Sequence, residues 1–397
     1  MNEDPTTQAT LSVWGGEGGE LIAGATQVPV VHSVAFGYDD LDLWRDVSLG
    51  RAPGHIYGRN TNPTTAVFEE KLRLLEGAEA CTSFATGMAG ISATLFALLS
   101  PGQRVVSVKD TYGGTNRIFL DYLPRFGIQA TLCETHDEAQ ILAAIDAGCD
   151  LVYLETPTNP TCKVLDIALL AKRAKAQGAV VVVDNTFATP INQSPLRLRA
   201  DLVIHSATKY LGGHADALGG ALCGNAELVE RVFRFREITG ATIAPDSAYM
   251  LLRGMKTLHL RVARQNENAM RIARYLDAHD FVERVFFPGL ESHPNHEVAK
   301  RQMRGFGGML SFQLKGDFEA VKDLLPRLKF AHRAANLGAV ETTVAPPRTG
   351  SHVELTTEER AAMGIPETLI RYSAGIEDAD DLIADLEQAL SATAATR

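Results

Sequence analysis

The stretch DLVIHSATKYLGGHADALGG, residues 201–220, joins an apolar run to an abrupt series of polar residues. Residues 202–204 are apolar and mostly β-branched, as is typical of a buried strand. Hydroxyl side chains, one lysine and several glycines follow directly. Open α/β sheets bind their ligands beyond the carboxyl ends of their strands. The stretch therefore predicts a sheet of this class with a polar site at the end of this strand.

Lys209 is the candidate nucleophile of this stretch. An amine can form a Schiff base with a carbonyl compound, and its surroundings can depress its pKa enough for it to act as a base. Ser206 and Thr208 flank it with hydroxyl groups that can donate to an anion. A solvated lysine in a glycine-rich loop would give the same local pattern, so this stretch alone leaves both interpretations open.

Two further segments add complementary groups. Residues 179–185 read AVVVVDN, a continuous apolar run typical of a fully buried parallel strand, closed by Asp184. That carboxylate can cap a helix or turn, or it can face the pyridinium nitrogen of pyridoxal phosphate, which needs such a partner to act as an electron sink. The loop 84–88 opens a helix at Gly87 and Met88, whose free backbone N–H groups can bind phosphate.

Longer motifs resemble those of the Cys/Met-metabolism enzymes that depend on pyridoxal phosphate, such as cystathionine γ-synthase, cystathionine γ-lyase and methionine γ-lyase. The motifs are YGRNTNPT (57–64), YGGTNR (112–117), ETPTNP (155–160), VVDNTFATP (182–190) and SATKYLGGHAD (206–216). The resemblance runs from about residue 26 to about residue 388. It implies the aminotransferase-like fold (fold type I): an α/β domain with a mostly parallel central sheet and helices on both faces, plus a smaller C-terminal α+β domain.

Strand-like and helical segments alternate from residue 62 onward, as expected for a parallel sheet covered by helices. Asn62 and Pro63 predict a helix start, and Gly77 predicts its end. Strands are predicted at 80–84, 104–108, 128–132, 151–154, 180–183, 202–204 and 217–223, and helices at 88–99, 115–125, 137–145, 167–177 and, continuously, 246–279. The predicted units are an N-terminal extension (1–60), a cofactor-binding domain (61–255) and a C-terminal domain (256–397).

The resemblance implies a role at the cofactor for each motif residue. Lys209 would hold pyridoxal 5'-phosphate as a Schiff base and later move protons, and Asp184 would keep the pyridine nitrogen protonated. Tyr112 would stack on the ring and act as a second catalytic residue, its hydroxyl assisting proton transfer near the leaving group, although a turn aromatic gives the same local pattern. The other cofactor contacts would be Gly87, Met88, Ser206, Thr208 and Asn159, with Tyr57 and Arg59 supplied by a neighbouring subunit. Such sharing implies a homo-oligomer, which we expect to be a tetramer built as a dimer of dimers.

The substrate end of the site is predicted less completely. Arg371, in RYSAGIE, suits the α-carboxylate of an amino acid, as does Asn159, although a surface strand arginine would look the same without the resemblance. Asn336 replaces a serine that the family usually has, and Arg348 is expected to face the substrate entrance. Ile56 and Ala335 stand where cystathionine-handling relatives tend to carry acids.

These residues predict a lyase that catalyses α,γ-elimination of a γ-substituted amino acid. Methionine, a homoserine-derived compound or a canavanine-like compound is favoured over cystathionine. The alternative is γ-replacement, as in cystathionine γ-synthase or a sulfhydrylase, and a catalytically silent scaffold is a third possibility. His293 and His296 form an HxxH pattern, but without a third ligand nearby it is a weak zinc signal, so no metal is expected.

Composition restricts the partners and the compartment. The chain has 397 residues, of which 45% are apolar and 22% charged, as in ordinary globular enzymes. A net charge of −10 argues against nucleic acid as a partner. No apolar run is long enough to cross a membrane, no signal peptide is readable, and five scattered cysteines argue against a disulfide framework. We therefore expect a cytoplasmic enzyme with a small-molecule substrate.

Overall fold

The computed structural model describes residues 6–18, 24–353 and 355–396. Residues 1–5 and 19–23 of the predicted extension, and residues 354 and 397 of the predicted C-terminal domain, lie outside the described residues. No helix in the described ranges is long and apolar enough to span a membrane.

A central sheet of seven strands organises the larger part of the chain. The strands are β1 (Ala80–Phe84), β2 (Arg104–Val108), β3 (Gln129–Cys133), β4 (Leu151–Glu155), β5 (Val180–Asp184), β6 (Leu202–His205) and β7 (Gly220–Gly224). Their spatial order is β1-β7-β6-β5-β4-β2-β3, and every pair is parallel except the two that β7 makes. The prediction of a mostly parallel sheet is confirmed.

Helices cover both faces of this sheet. The helices before residue 240 are α1 (Gln8–Trp14), α2 (Leu41–Ser48), α3 (Pro63–Glu76), α4 (Gly87–Leu98), α5 (Gly113–Arg117), α6 (Glu138–Asp146), α7 (Ile167–Ala176), α8 (Thr189–Asn192) and α9 (Ala226–Thr239). Along β5, Val182 shares one core with residues of α4 and α9, whereas Val181 and Val183 share another with residues of α6 and α7. This alternation is the period of two that places neighbouring strand residues on opposite faces.

Local signals place the ends of α3 where the sequence predicts them. The Asn62 side chain accepts the N–H of Thr64 at 2.9 Å, and Pro63 is the first helical residue. Gly77 ends the helix in the left-handed conformation, with φ at 68°, which glycine adopts without steric cost.

Before residue 240, two of the predicted elements differ from the structure by more than one residue at an end. The predicted helix 115–125 is α5 followed by a π turn and a 3-10 turn, because Pro124 lacks the N–H that an α-helix would need there. The predicted strand 217–223 begins only at Gly220. Before it, Thr208 Oγ1 donates to the carbonyl of Gly219 and accepts the Gly219 N–H, which holds that residue at the loop rather than in the sheet.

The continuous helix predicted over 246–279 is in fact two helices, α10 (Pro245–Met255) and α11 (Leu258–Asp277). Near the break, Gly254 lies so close to the loop after β6 that a Cβ there would be 2.0 Å from the Gly212 carbonyl oxygen. The carbonyl of Gly254 accepts hydrogen bonds from the buried Arg261 at 2.9 Å and from the N–H of Thr257 at 3.2 Å. The missing side chain at Gly254 therefore lets two backbones meet beneath the loop that carries Lys209.

A second, smaller sheet forms the C-terminal part of the chain. Its strands are β8 (Val282–Phe286), β9 (Met309–Leu314), β10 (His332–Arg333), β11 (Thr343–Ala345) and β12 (Leu369–Ser373), in the order β10-β11-β12-β9-β8. The remaining helices are α12 (His296–Gln302), α13 (Phe318–Leu324), α14 (Thr357–Ala362) and α15 (Ala379–Ala395). Residues of α11, α13 and α15 share one core with this sheet, which confirms the smaller α+β unit. The exact limits of the three predicted units stay predictions.

Candidate functional site

The carboxyl ends of β4, β5 and β6 border a cavity of about 650 Å³. These strands are parallel neighbours, so the residues that end them lie along one edge of the sheet. Ten residues predicted for the site line the cavity: Gly87, Met88, Tyr112, Asn159, Asp184, Ser206, Thr208, Lys209, Ala335 and Arg371. The structure thus brings groups from distant parts of the chain into one place.

Lys209 lies in the loop after β6, and its Nζ donates a hydrogen bond to Oδ1 of Asn336 at 2.9 Å. The loop is held from below by Arg261, whose Nη1 donates to the carbonyl of Tyr210 at 2.8 Å. Burial lowers the pKa of Lys209 to about 8, and the charge of Arg371 contributes in the same direction. The amine therefore has a substantial neutral fraction near neutral pH, as a nucleophile or a base requires.

Asp184 ends β5 as a buried carboxyl group. Its Oδ1 accepts the N–H of Thr186 at 3.0 Å, and its Oδ2 accepts the hydroxyl of Tyr153 at 3.3 Å. Burial raises the pKa of Asp184, whereas these donors oppose that rise because they stabilise the carboxylate. A buried carboxylate held by such donors is suited to bind the protonated nitrogen of a heterocycle.

The first turn of α4 supplies an anion-binding surface. Thr86 is the N-cap, and its Oγ1 accepts the N–H of Ala89 at 3.0 Å, so the N–H groups of Gly87 and Met88 are left outside the intrahelical bonding. A Cβ on residue 87 would lie 2.8 Å from Cβ of Ser206. Because glycine has no side chain, the helix start and the Ser206 hydroxyl can share one space, as a phosphate group would need.

Arg371 is a buried guanidinium on β12. Its Nη1 donates to Oδ1 of Asn159 at 3.1 Å, and its Nη2 donates to the carbonyl of Asn336 at 3.2 Å. Burial lowers its pKa to about 10, so it stays cationic at neutral pH. These two bonds leave further N–H groups that can bind a carboxylate.

Ile56, Tyr57 and Arg59 are not among the described residues that line this cavity. The Arg59 guanidinium lies 5.7 Å from the centre of the Tyr57 ring and donates to the carbonyl of Glu237. The carbonyl of Ile56 accepts the N–H of Phe36 at 3.0 Å. The segment therefore lies outside its own chain's site, and its role at a neighbour's site stays a prediction.

Arg348, which is expected to face the substrate entrance, forms its contacts away from the cavity wall of its own chain, and its role at the entrance stays a prediction. Its Nη1 forms an ion pair with Glu367 at 2.9 Å, its guanidinium lies 4.3 Å from the Phe318 ring centre, and it is not among the described residues lining the cavity. Glu367 also binds Arg360 at 2.7 Å, so one carboxylate holds both arginines. Nothing in the local sequence shows that Arg348 forms an ion pair with Glu367, which lies nearly twenty residues further on.

Glu155 and His352 are among the cavity residues that the sequence did not predict. Glu155 ends β4 directly beside Asp184, and its position at the end of the apolar run LVYLE is the same signal that singles out Asp184. His352 is buried, with Nδ1 at 2.9 Å from Oγ of Ser351. Burial lowers its pKa to about 4, with a further contribution from nearby arginines, so this imidazole is neutral. No periodicity or motif spacing marks His352.

The site has the parts that a pyridoxal phosphate enzyme needs, and comparisons with known proteins agree. A family model described as Cys/Met metabolism PLP-dependent enzyme matches residues 9–391. The L-methionine gamma-lyase of Fusobacterium nucleatum subsp. polymorphum is 44% identical over 372 residues, covering 92% of this chain and 94% of that protein. The chloroplastic cystathionine gamma-synthase 1 of Arabidopsis thaliana is 42% identical over 391 residues, covering 98% of this chain and 69% of that protein.

A solved structure shows the same architecture. The cystathionine gamma synthase from Xanthomonas oryzae pv. oryzae in complex with aminoacrylate and cysteine superposes with a TM-score of 0.94 at 38% identity, covering 99% of this chain and 100% of that one. The chain belongs to the Cys/Met metabolism family of pyridoxal phosphate-dependent enzymes. The relatives include both lyases and synthases.

The residues present fit the cofactor of this family. A lysine amine with a lowered pKa, a buried carboxyl group held by hydrogen-bond donors and a glycine-opened helix start line one cavity. These groups match the aldehyde, the pyridine nitrogen and the phosphate of pyridoxal phosphate.

The lowered pKa of Lys209 predicts how the apoprotein takes up the cofactor. Only the neutral amine attacks an aldehyde, so the uptake rate should rise about tenfold per pH unit and then level off near the pKa of about 8. For a lysine with the ordinary pKa of 10.5, the uptake rate would keep rising until the pH reached that value. Visible absorbance after mixing apoprotein with pyridoxal phosphate between about pH 6 and pH 10 measures this.

The control is a small lysine derivative with a blocked α-amine, mixed with pyridoxal phosphate in the same buffers. It corrects for the cofactor's own titration. A protein profile that follows the small amine up to pH 10 would contradict the lowered pKa of Lys209.

Proposed function

We propose that this protein is a γ-lyase that catalyses α,γ-elimination of a γ-substituted amino acid. The observation that carries the proposal is the arrangement at the cavity, where the Lys209 amine and the Arg371 guanidinium contact the same residue, Asn336. A carboxylate bound by Arg371 would therefore lie near the lysine amine. The family names above support chemistry at Cγ, because both lyases and synthases of that carbon are among the relatives.

When bound, pyridoxal phosphate supplies an electron sink for the bonds at the substrate's Cα. Arg371 and Asn159 hold the α-carboxylate, and Asp184 keeps the pyridine nitrogen protonated. Lys209 takes and returns protons at the substrate carbons. Asn336 accepts a hydrogen bond from the amine at 2.9 Å and so orients its lone pair, a use for the amide that replaces the family's usual serine.

The distal part of the cavity favours a substrate without a distal ammonium group. Much of the wall is apolar, with Met88, Ile91, Leu120, Leu218, Val353, Leu355 and Met363. Ala335 lines the cavity where cystathionine-handling relatives tend to have an acid. Glu359 also lines it, but its carboxylate accepts the N–H of Thr356 in the capping box of α14. A distal ammonium would therefore lack a dedicated partner, and an unpaired charge is costly to desolvate.

Wild-type enzyme should prefer methionine, an O-acylhomoserine or canavanine to cystathionine. The missing acid should lower kcat/KM for cystathionine by roughly 10²–10³, or about 3–4 kcal/mol for a lost charge pair. Release of the 2-oxo acid from each compound measures elimination. Ala335→Glu places an acid in the chain's own cavity, and Ile56→Glu places one on the segment proposed to serve the neighbour. Each should raise the relative rate with cystathionine.

Ala335→Gln is the matched control, since it adds similar volume without charge and should leave the ranking unchanged. A wild-type preference for cystathionine by tenfold or more would contradict the proposed substrate class. If an O-acylhomoserine yields a new thioether with an added thiol faster than it yields 2-oxo acid, the alternative of γ-replacement is correct. The synthases among the relatives keep that alternative open.

We also propose that the enzyme is a homo-oligomer with shared sites, built as a dimer of dimers. The segment before α3 supports this, because it leaves large apolar side chains exposed: Leu41 is 72%, Trp44 43% and Tyr57 42% exposed. Such surface is typical of a subunit interface. Tyr57 and Arg59 lie on this segment, outside their own cavity, where they can complete a neighbour's phosphate site.

Mixing two inactive variants tests the shared site. Arg59→Ala subunits keep Lys209, and Lys209→Ala subunits keep Arg59, so a mixed dimer has one site with both wild-type residues. Equal mixtures that are dissociated and reassociated should recover roughly a quarter of the wild-type activity, since half of the dimers are mixed. Mixtures that are never dissociated serve as the control. No recovery in oligomers shown to be mixed would contradict the sharing.

Small amino acids are the partners that we propose, with no role for nucleic acid, because the net charge is −10. The cytoplasm is the compartment that we propose. All five cysteines are free thiols in the structure, which fits a reducing compartment.

A further inference from the structure

Glu155 and Asp184 form a pair of buried carboxyl groups at the edge of the cavity. They are the last residues of β4 and β5, and they are paired in register on these parallel strands. Glu155 is 5% exposed and Asp184 is 8% exposed. In-register residues of neighbouring strands point to the same face of a sheet, so both carboxyl groups belong to one site.

Glu155 is bonded to the backbone that carries Tyr112. Its Oε2 accepts the N–H of Tyr112 at 2.7 Å, and the backbone N–H of Asn159 faces the same carboxyl group. Tyr112 caps the start of α5 without a side-chain hydrogen bond, and its side chain is 46% exposed. The bond to Glu155 therefore holds the backbone from which the half-exposed Tyr112 ring projects.

The charged and polar groups around Glu155 and Asp184 favour a state in which the two carboxyl groups together hold one proton. Asp184 faces Glu155 from β5, Tyr153 faces it from its own strand, and Asp110 faces it from the loop after β2. The nearby cation, Lys163, is already paired with Asp110 at 2.5 Å. Two desolvated neighbouring carboxylates repel each other, so one of them keeps a proton.

The proton belongs on Glu155 rather than on Asp184. Asp184 accepts hydrogen bonds from Thr186 and Tyr153, and His205 adds a favourable charge interaction, all of which stabilise its anion. The backbone N–H groups of Tyr112 and Asn159 stabilise the anion of Glu155 in the same way, but burial, followed by the charge of Asp184, outweighs them and raises the pKa of Glu155 well above its ordinary value of 4.5.

We propose that Glu155 is a positioning residue of the cofactor site, which fixes the backbone of Tyr112 and, as a neutral carboxyl group, leaves Asp184 as the single anion. The inference rests on the roles proposed for Tyr112 and Asp184 and is independent of which substrate the enzyme uses. The proposed role of Glu155 requires the shape of its side chain and an acceptor oxygen, but it does not require a negative charge.

Glutamine and alanine at position 155 separate shape from charge. Glu155→Gln keeps an oxygen for the Tyr112 N–H, so kcat and KM should stay within about threefold of wild type. Glu155→Ala leaves that N–H without its partner, so kcat should fall by roughly ten- to hundredfold with a smaller change in KM. If Glu155→Gln is as damaged as Glu155→Ala, the charge of Glu155 is required and the proposal is overturned.

Infrared spectroscopy of the cofactor-free protein tests the neutral carboxyl group without any turnover. At pH 7 the wild type should show the carbonyl band of a protonated buried carboxyl group, and Glu155→Gln should lack it. Glu359→Gln is the matched control, because glutamine keeps the capping box of α14, and its spectrum should retain the band. Absence of the band from the wild type would overturn the proposal even if Glu155→Ala fails to fold.

The stability of the same apoproteins gives a second readout. Above the ordinary pKa of 4.5 the unfolded chain has lost the proton that the folded chain keeps, so stability falls as pH rises toward the folded pKa. The unfolding equilibrium constant of the wild type should therefore gain up to about tenfold per pH unit relative to Glu155→Gln. Equal pH slopes would show that Glu155 is ionised. Neither apoprotein measurement depends on the proposed γ-elimination, so the two proposals can fail separately.

Discussion

Replacing Lys209 with alanine is expected to abolish the visible absorbance of the bound cofactor and to reduce turnover at least about 10⁴-fold. The amine is the candidate covalent anchor of the cofactor and the group that moves protons, so both properties depend on one atom, Nζ. Asn336, which accepts its hydrogen bond, cannot replace it, because an amide is not basic.

The fold should survive this change. Lys209 lies in a loop, and its lowered pKa shows that burial disfavours its charge, so alanine removes a desolvated cation rather than a favourable core contact. The free energy of unfolding should change by less than about 1 kcal/mol. Absorbance, steady-state rates and urea unfolding of the purified variant measure the three quantities.

Lys209→Arg and Lys172→Ala are the matched controls. Arginine keeps a cation near Asn336 but cannot form a Schiff base, so it should be as inactive as alanine. Lys172 is an exposed lysine of α7, and its removal should change neither spectrum nor rate. Wild-type absorbance and activity in Lys209→Ala would exclude Lys209 as the anchor, and activity in Lys209→Arg would show that only its charge matters.

Replacing Arg371 with alanine should lower kcat/KM by roughly 10²–10⁴, mainly through KM, because about 3–5 kcal/mol is lost when one member of a buried charge pair is removed. The substrate carboxylate would then enter a desolvated site without its cation. The visible absorbance of the cofactor should remain, since Arg371 contacts Asn159 and Asn336 rather than the groups assigned to the ring and phosphate.

A second consequence distinguishes this role from a general loss of structure. The charge of Arg371 helps to lower the pKa of Lys209, so Arg371→Ala should shift the plateau of cofactor uptake to higher pH. Arg348→Ala is the matched control, because that guanidinium pairs with Glu367, and it should keep kcat/KM within about threefold. An unchanged KM in Arg371→Ala, or a loss as large in Arg348→Ala, would contradict the assignment.

Local sequence was sufficient for most of the elements and for proposing the main reacting groups. Asn62, Pro63 and Gly77 bound α3 because capping depends on a few adjacent residues. Asp184 ends an apolar run, and Lys209 lies in the polar loop that follows another. Both positions indicate a site, because in a parallel sheet both faces are buried and only the strand ends reach a ligand. The family resemblance supplied the identity of the cofactor.

Tertiary structure decided everything that depends on residues far apart in sequence. Local sequence does not reveal that Arg348 forms an ion pair with Glu367. Nor does it reveal that the helical stretch 246–279 is divided into α10 and α11, close to where Gly254 packs on the backbone of Gly212. Glu155 ends an apolar run as Asp184 does, but the strand order is what puts β4 beside β5 and leaves the two carboxyl groups in one desolvated place. The physical reason is that periodicity and capping depend on neighbouring residues in the sequence. Desolvation and charge coupling depend on which distant segments pack against each other.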